Sequence, residues 1–182
     1  MGVCHLDRTK EICLIGILAA VNIASRIALQ ALPNIKPVTA IIIISVMVFG
    51  LAFGIKLTFV TTLVSNIFLG MGPWTFFQIL AWIVICLLTQ ILIDCFRKLN
   101  KAPHLLFMAI FSFLMGYVFG FIVSLEQLVE GGFGLFIVYY MNGLLFDTFH
   151  AIGNFAFYLI CAPILTKILI NESQRLKSRY NE

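Results

Sequence analysis

Three groups of polar side chains interrupt an otherwise apolar chain, and their spacing restricts the chemistry open to them. Asn22 and Arg26 form the first, one helical turn apart. A guanidinium among apolar residues is costly unless it pairs, meets water or snorkels toward the membrane surface. The second group is Asp147, His150 and Asn154, which share one face of a helix. Polar residues repeated along an apolar helix face protein, ligand or trapped water, not lipid. Asp147 is therefore a candidate counter-ion for Arg26, with snorkelling of Arg26 as the alternative. The third group is the densest: Ser65-Asn66, then Gly70-Met71-Gly72-Pro73-Trp74-Thr75-Phe76-Phe77-Gln78, then Trp82. Trp74, Gln78 and Trp82 stand at i, i+4, i+8 spacing. They suit either interfacial anchoring or an apolar pocket in which Gln78 and Asn66 supply hydrogen bonds.

Other chemistries find less support. His150 with Asp147 has the residue types of a general acid–base pair, the basis for reading the chain as an intramembrane enzyme, yet no nucleophile or metal cluster accompanies them. His5 and His104 fall at the opposite side from His150, so no metal site is expected. The five cysteines (Cys4, Cys13, Cys86, Cys95, Cys161) lie singly in or near apolar stretches, which reads as small buried hydrophobes, not a disulfide framework or zinc site. Gly50 to Thr58 contains glycines and Lys56, but the spacing is not that of a phosphate-binding loop. ATP hydrolysis, if the process needs it, falls to partners, and no cofactor is expected. The basic segment Arg175, Lys177 and Arg179 reads as a topology determinant facing lipid headgroups, and no nucleic-acid partner is expected.

The elements that must position these groups are membrane helices. The 182 residues are 62% hydrophobic and 11% charged, against about 25% charged in soluble domains. At roughly 20 residues per span, six helices use nearly the whole chain as one transmembrane domain. The spans are expected at about 12–30, 38–53, 57–69, 75–96, 105–125 and 144–170. Pro33, Asn34 and Pro37 close the first, Gly50 to Lys56 turns the second into the third, and Gly131, Gly132, Gly134 and Gly143 mark 126–143 as a long outer connection. Arg8 and Lys10 before the first apolar stretch imitate a signal peptide, but Ala31-Leu32-Pro33 is a poor cleavage signal, so a retained helix is expected. No internal repeat is visible, which weighs against a stand-alone secondary carrier. Ten of the twelve Lys and Arg residues fall on the side holding both termini, Lys36 is on the other, and Arg26 lies within the first helix. The positive-inside rule then puts both termini in the cytoplasm.

Gly16, Ala20, Ala24 and Ala28 recur every four residues. Small side chains at that spacing admit a close partner helix, from within the chain or from another subunit. With these residues, the chain resembles the S components of energy-coupling factor transporters, the vitamin-binding subunits of prokaryotic importers. The resemblance spans nearly the whole chain. The family's Ala-x-x-x-Ala pattern matches Ala20 and Ala24. More specific are Leu32-Pro33-Asn34-Ile35-Lys36-Pro37-Val38-Thr39, then Asn66 with Leu69 to Thr75 and Gln78, then Asp147 with His150-Ala151-x-Gly153-Asn154, which look like members linked with cobalamin uptake. Folate, pantothenate and riboflavin members share the architecture. The resemblance implies that helix ends and outer loops enclose a vitamin, with Arg26, Asn34, Lys36, Asn66, Trp74, Gln78, Trp82, Asp147, His150 and Asn154 as substrate-binding positions. It also implies that Gly16, Ala20, Ala24 and Ala28 dock onto a transmembrane coupling subunit that carries two ATPases in the plasma membrane.

Overall fold

A computed structural model describes residues 7–178, with side chains to 171. Cys4, His5 and Arg179 lie outside the described residues, as do the side chains of Arg175 and Lys177. The described residues are all-α: α1 (Arg8–Ala28), α2 (Val38–Phe49), α3 (Leu51–Leu69), α4 (Trp74–Lys98) and α5 (Leu105–Ser178). Four of these, all but α2, are long and apolar enough to cross a membrane, consistent with a membrane protein.

Five helices stand where six were expected, and glycine explains the difference. The 126–143 segment is helical, not an open connection. Only Gly132 departs from helical geometry, at φ 75° and ψ −174°, a conformation that is essentially glycine's alone. It divides α5 into two limbs. Gly134 and Gly143 are ordinary helical residues with open space where a Cβ would stand. The α2–α3 turn likewise shrinks to one residue, Gly50, at φ 88°. Gly54 lies inside α3, where a Cβ would strike Val46 and Cys86; it is small so that helices can approach, not so that the chain can turn.

Side-chain pairs fix how the helices run. Asn22 meets Thr61 and Arg26 meets Ser65, so α1 and α3 are parallel. Thr39 meets His150 and Tyr158 meets Met47, so α2 is parallel to the second limb of α5. The two limbs are antiparallel. Ser112 donates to the Asn154 carbonyl at 3.3 Å, Tyr117 meets Thr148 at 3.0 Å, and a Cβ at Gly116 would lie 2.6 Å from the Ala151 nitrogen. Backbone meets backbone there, which only glycine permits.

α2 is apolar around its whole circumference (Val38-Thr39-Ala40-Ile41-Ile42-Ile43-Ile44), as expected of a helix enclosed on every side. All its residues but Met47 are buried, packed among α1, α3, α4 and α5. α1 is peripheral. It packs on α3 and α2 through Ile15, Leu18, Ala19, Asn22 and Arg26, leaving its other face bare.

Candidate binding site

The site forms where the α1–α2 connection, the start of α4 and the bend of α5 converge. Pro33, Asn34 and Pro37 keep the first of these non-helical; Asn34 takes φ 56°, a left-handed value that asparagine tolerates. Gly70, at φ 102°, ends α3, and Pro73 stands at the N-cap of α4, where its missing N–H is no loss.

Arg26 is the organising side chain. It is 6% exposed, so its charge is held inside the protein and does not snorkel. Nη1 donates to Ser65 Oγ at 2.6 Å, and Nη2 to Asn66 Oδ1 at 3.0 Å and Gln78 Oε1 at 3.4 Å. Its guanidinium lies 5.4 Å from the Trp82 ring centre, within cation–π range. The acceptors are themselves held. Ser65 Oγ donates to the Thr61 carbonyl at 2.6 Å, while Asn66 Nδ2 donates to Thr75 Oγ1 at 2.9 Å and Gln78 Oε1 at 3.0 Å. Every hydrogen-bond partner of Arg26 is neutral, and among the described residues no carboxylate pairs with it.

The expected Arg26–Asp147 pair is therefore not formed. Asp147 belongs to the other limb of the α5 hairpin, and its carboxylate lies over Gly120, occupying the space a Cβ there would need. The parallel run of α1 against α3 brings Arg26 instead to Ser65 and Asn66.

His150 is one end of a short chain of polar contacts. Trp82 Nε1 donates to Thr39 Oγ1 at 3.1 Å, and the same oxygen lies 3.1 Å from His150 Nε2. The ring of Phe119 meets the imidazole edge-on, with centres 4.9 Å apart. His150 is 5% exposed, and its Nδ1 has no partner. It pairs with Thr39, and no hydrogen bond joins it to Asp147. Asn154, one turn on, is fully buried with both side-chain amide atoms unpartnered.

Two adjoining cavities open among these residues. The larger, about 760 Å³, is lined by Asn34, Trp74, Gln78, Phe119, Tyr139 and Asp147 among others, with Glu126 and Glu130 on its wall. The smaller, about 80 Å³, is lined by Arg26, Lys36, Val38, Trp82 and His150, and shares Asn34, Gln78 and Phe119 with the larger. Of the ten residues expected at a binding site, eight line one or both. Asn66 and Asn154 line neither; Asn66 instead braces Arg26 and Gln78. In the α1–α2 connection, Lys36 is half-buried, and burial together with the Arg26 charge pushes its pKa down from the ordinary 10.5.

Phe119, Gly120, Glu126 and Tyr139 line the larger cavity and are site residues that sequence reasoning misses. Gly116 and Gly120, four residues apart, carry a usable signal, because small residues at that spacing mark close helix packing. Gly16, Ala20, Ala24 and Ala28 are all exposed along the outer face of α1, and none belongs to the site. No protein-family model, curated protein or solved structure matches the chain.

Proposed function

We propose that the chain is the substrate-capturing membrane subunit of an ATP-driven vitamin importer of the energy-coupling factor type, resident in a prokaryotic plasma membrane. The observation that carries this reading is the larger cavity. Its volume of about 760 Å³ lies within the roughly 300–1,000 Å³ of small-molecule sites, and its lining sets the aromatic rings of Trp74, Phe119, Tyr139 and Phe146 beside polar and acidic side chains. A corrinoid is the first candidate ligand; folate, pantothenate and riboflavin are the alternatives.

In this reading the chain crosses the membrane six times, with the two limbs of α5 counting as separate passes. The parallel runs of α1 with α3 and of α2 with the second limb of α5, and the antiparallel limbs, support that count. Both termini then face the cytoplasm, on the side of Arg8, Lys56, Arg97, Lys101 and Lys167, and the cavities face outward. The bare small-residue face of α1 is the docking surface for a transmembrane coupling subunit, which carries the two cytoplasmic ATPases. A Cβ at Gly16 would have no heavy atom within 4 Å, so the stripe is not used for packing inside this chain.

Calorimetric titration of the purified chain with cobalamin, cobinamide, folate, pantothenate and riboflavin tests the ligand. Saturable binding of one vitamin without turnover is expected; absence of binding to any of them, by folded protein, refutes the reading. Ala20→Trp and Ala24→Trp test the partner. They should abolish co-purification with the coupling subunit while leaving ligand affinity unchanged, and retained co-purification removes α1 as the docking face.

A further inference from the structure

We infer that the smaller cavity is an anion subsite, which takes a carboxylate or phosphate group of the ligand whose body fills the larger one. The inference rests on the ligand-binding half of the proposed function and is independent of the ATPase partners.

A buried guanidinium ordinarily meets a carboxylate, because burying an unpaired charge is costly. Arg26 is 6% exposed, yet its hydrogen-bond partners are Ser65, Asn66 and Gln78, all neutral. A second cation, Lys36, lines the same small cavity, and its charge and that of Arg26 act on each other. Two cations thus share a cleft of about 80 Å³ in which none of the lining residues is acidic. That is room for a carboxylate or phosphate, not for a ring.

The remaining walls add donors. With Trp82 donating to Thr39, the threonine hydroxyl hydrogen is free to donate to His150 Nε2, and that tautomer carries its ring hydrogen on Nδ1. Nδ1 is the buried atom with no partner. Gln78 spends its carbonyl oxygen on Arg26 and Asn66, and its amide NH₂ takes no part in those bonds. Two N–H groups of the Arg26 guanidinium stay outside its bonds to Ser65, Asn66 and Gln78, and a guanidinium supported by an ammonium and neutral N–H donors suits carboxylate or phosphate recognition.

The acidic residues are elsewhere. Asp147, Glu126 and Glu130 line the larger cavity only. Charge is therefore sorted along the joined cavities, and an anionic ligand group has one favourable end to occupy.

The test uses ligand pairs that differ in an anionic group: pantothenate against pantothenol, flavin mononucleotide against riboflavin, and cobalamin, with its phosphodiester, against cobinamide. Titrated into the full chain in maltoside detergent, the anionic member of the binding pair should be at least tenfold tighter. Arg26→Met should erase that preference. Should Arg26→Met fail to fold, Lys36→Met, in the connecting segment, should reduce the preference at least threefold. Equal affinity for both members, or a preference that survives the substitution, overturns the subsite while leaving the importer reading intact. If no pair binds, the importer reading fails and the subsite is judged alone, by the fluorescence response of Trp82 to inorganic phosphate and acetate in a Trp74→Phe background. A saturable response lost in Lys36→Met supports it, and no response overturns it. Stabilisation by phosphatidylglycerol that depends on Arg26, with no preference between soluble pairs, would assign the cleft to a lipid headgroup and also overturn it.

Discussion

Gly116→Ala should destabilise the protein more than the addition of one methyl group suggests. A Cβ at this position would lie 2.6 Å from the Ala151 nitrogen and 2.7 Å from its Cα. Contacts of ordinary length begin near 3.4 Å, so the two limbs of α5 must part by roughly 0.8 Å, the difference between the first and last of these distances. No rotamer relieves the clash, since the opposing atoms are backbone. Overpacking of this kind costs about 1–3 kcal/mol. Gly134→Ala is the matched control: it also replaces a helical glycine, but nothing lies within 4 Å of the new atom, and better helix propensity makes it neutral or slightly stabilising. A thiol-reactive dye can follow unfolding, because Cys86 is fully buried while Cys13 and Cys95 are exposed and set the baseline. The melting temperature of Gly116→Ala should fall by several degrees relative to Gly134→Ala. Indistinguishable melting curves would refute the close approach of the limbs. Because Phe119, Gly120, Asp147 and His150 lie within about one turn of this contact, any ligand affinity should fall with stability.

Gly132→Ala should cost about 1–3 kcal/mol, because alanine at φ 75° and ψ −174° enters a region reserved for glycine; an unchanged melting temperature would show that the bend does not need this geometry. In double-mutant cycles, Arg26 with Asn66 should be coupled by more than about 0.5 kcal/mol, whereas Arg26 with Asp147 should be additive within roughly 0.3–0.5 kcal/mol; the reverse ranking would place Arg26 against the α5 carboxylate after all. For Lys36, burial and Arg26 hold the folded pKa below 10.5, so between that lowered value and 10.5 the unfolded chain binds more protons. Its contribution to stability without ligand should therefore rise with pH across that window. Lys36→Met should flatten the rise and stabilise the protein at neutral pH, and a wild-type pH profile in the variant contradicts the sign.

The helical, membrane-compatible character of the chain is legible because apolar runs are long and charged residues rare. Pro37 announces the start of α2 at Val38, and Gly70 with Pro73 announces the break before α4. The failures share one cause. Glycine reads as a turn former at Gly54, Gly134 and Gly143, where it is helical, and among the described glycines only Gly50, Gly70 and Gly132 adopt a positive φ. Sequence does not reveal φ, so a glycine needed for close packing looks like one needed for bending. Arg26 stands out because a charge in an apolar helix is conspicuous. Ser65 and Asn66 stand out as a polar group of their own, but they become its partners only through the parallel offset of α1 against α3. Opposite charge makes Asp147 the obvious partner on paper, and topology places it elsewhere.

The shortness of α2 also has a consequence for depth. Twelve residues at 1.5 Å each make a rod of about 18 Å, against a hydrocarbon layer of roughly 30 Å. A helix facing lipid with that mismatch would thin the bilayer or force its flanking residues to snorkel. Enclosed by its neighbours, α2 meets no lipid and incurs neither. In the proposed orientation the missing length becomes a well: its first turn, with Val38 in the wall of the smaller cavity, lies sunk below the outer rim. The connection bearing Asn34 and Lys36 descends to reach it. Under the proposed function, a ligand held there would sit within the thickness of the membrane, walled by protein, with part of the crossing distance already behind it.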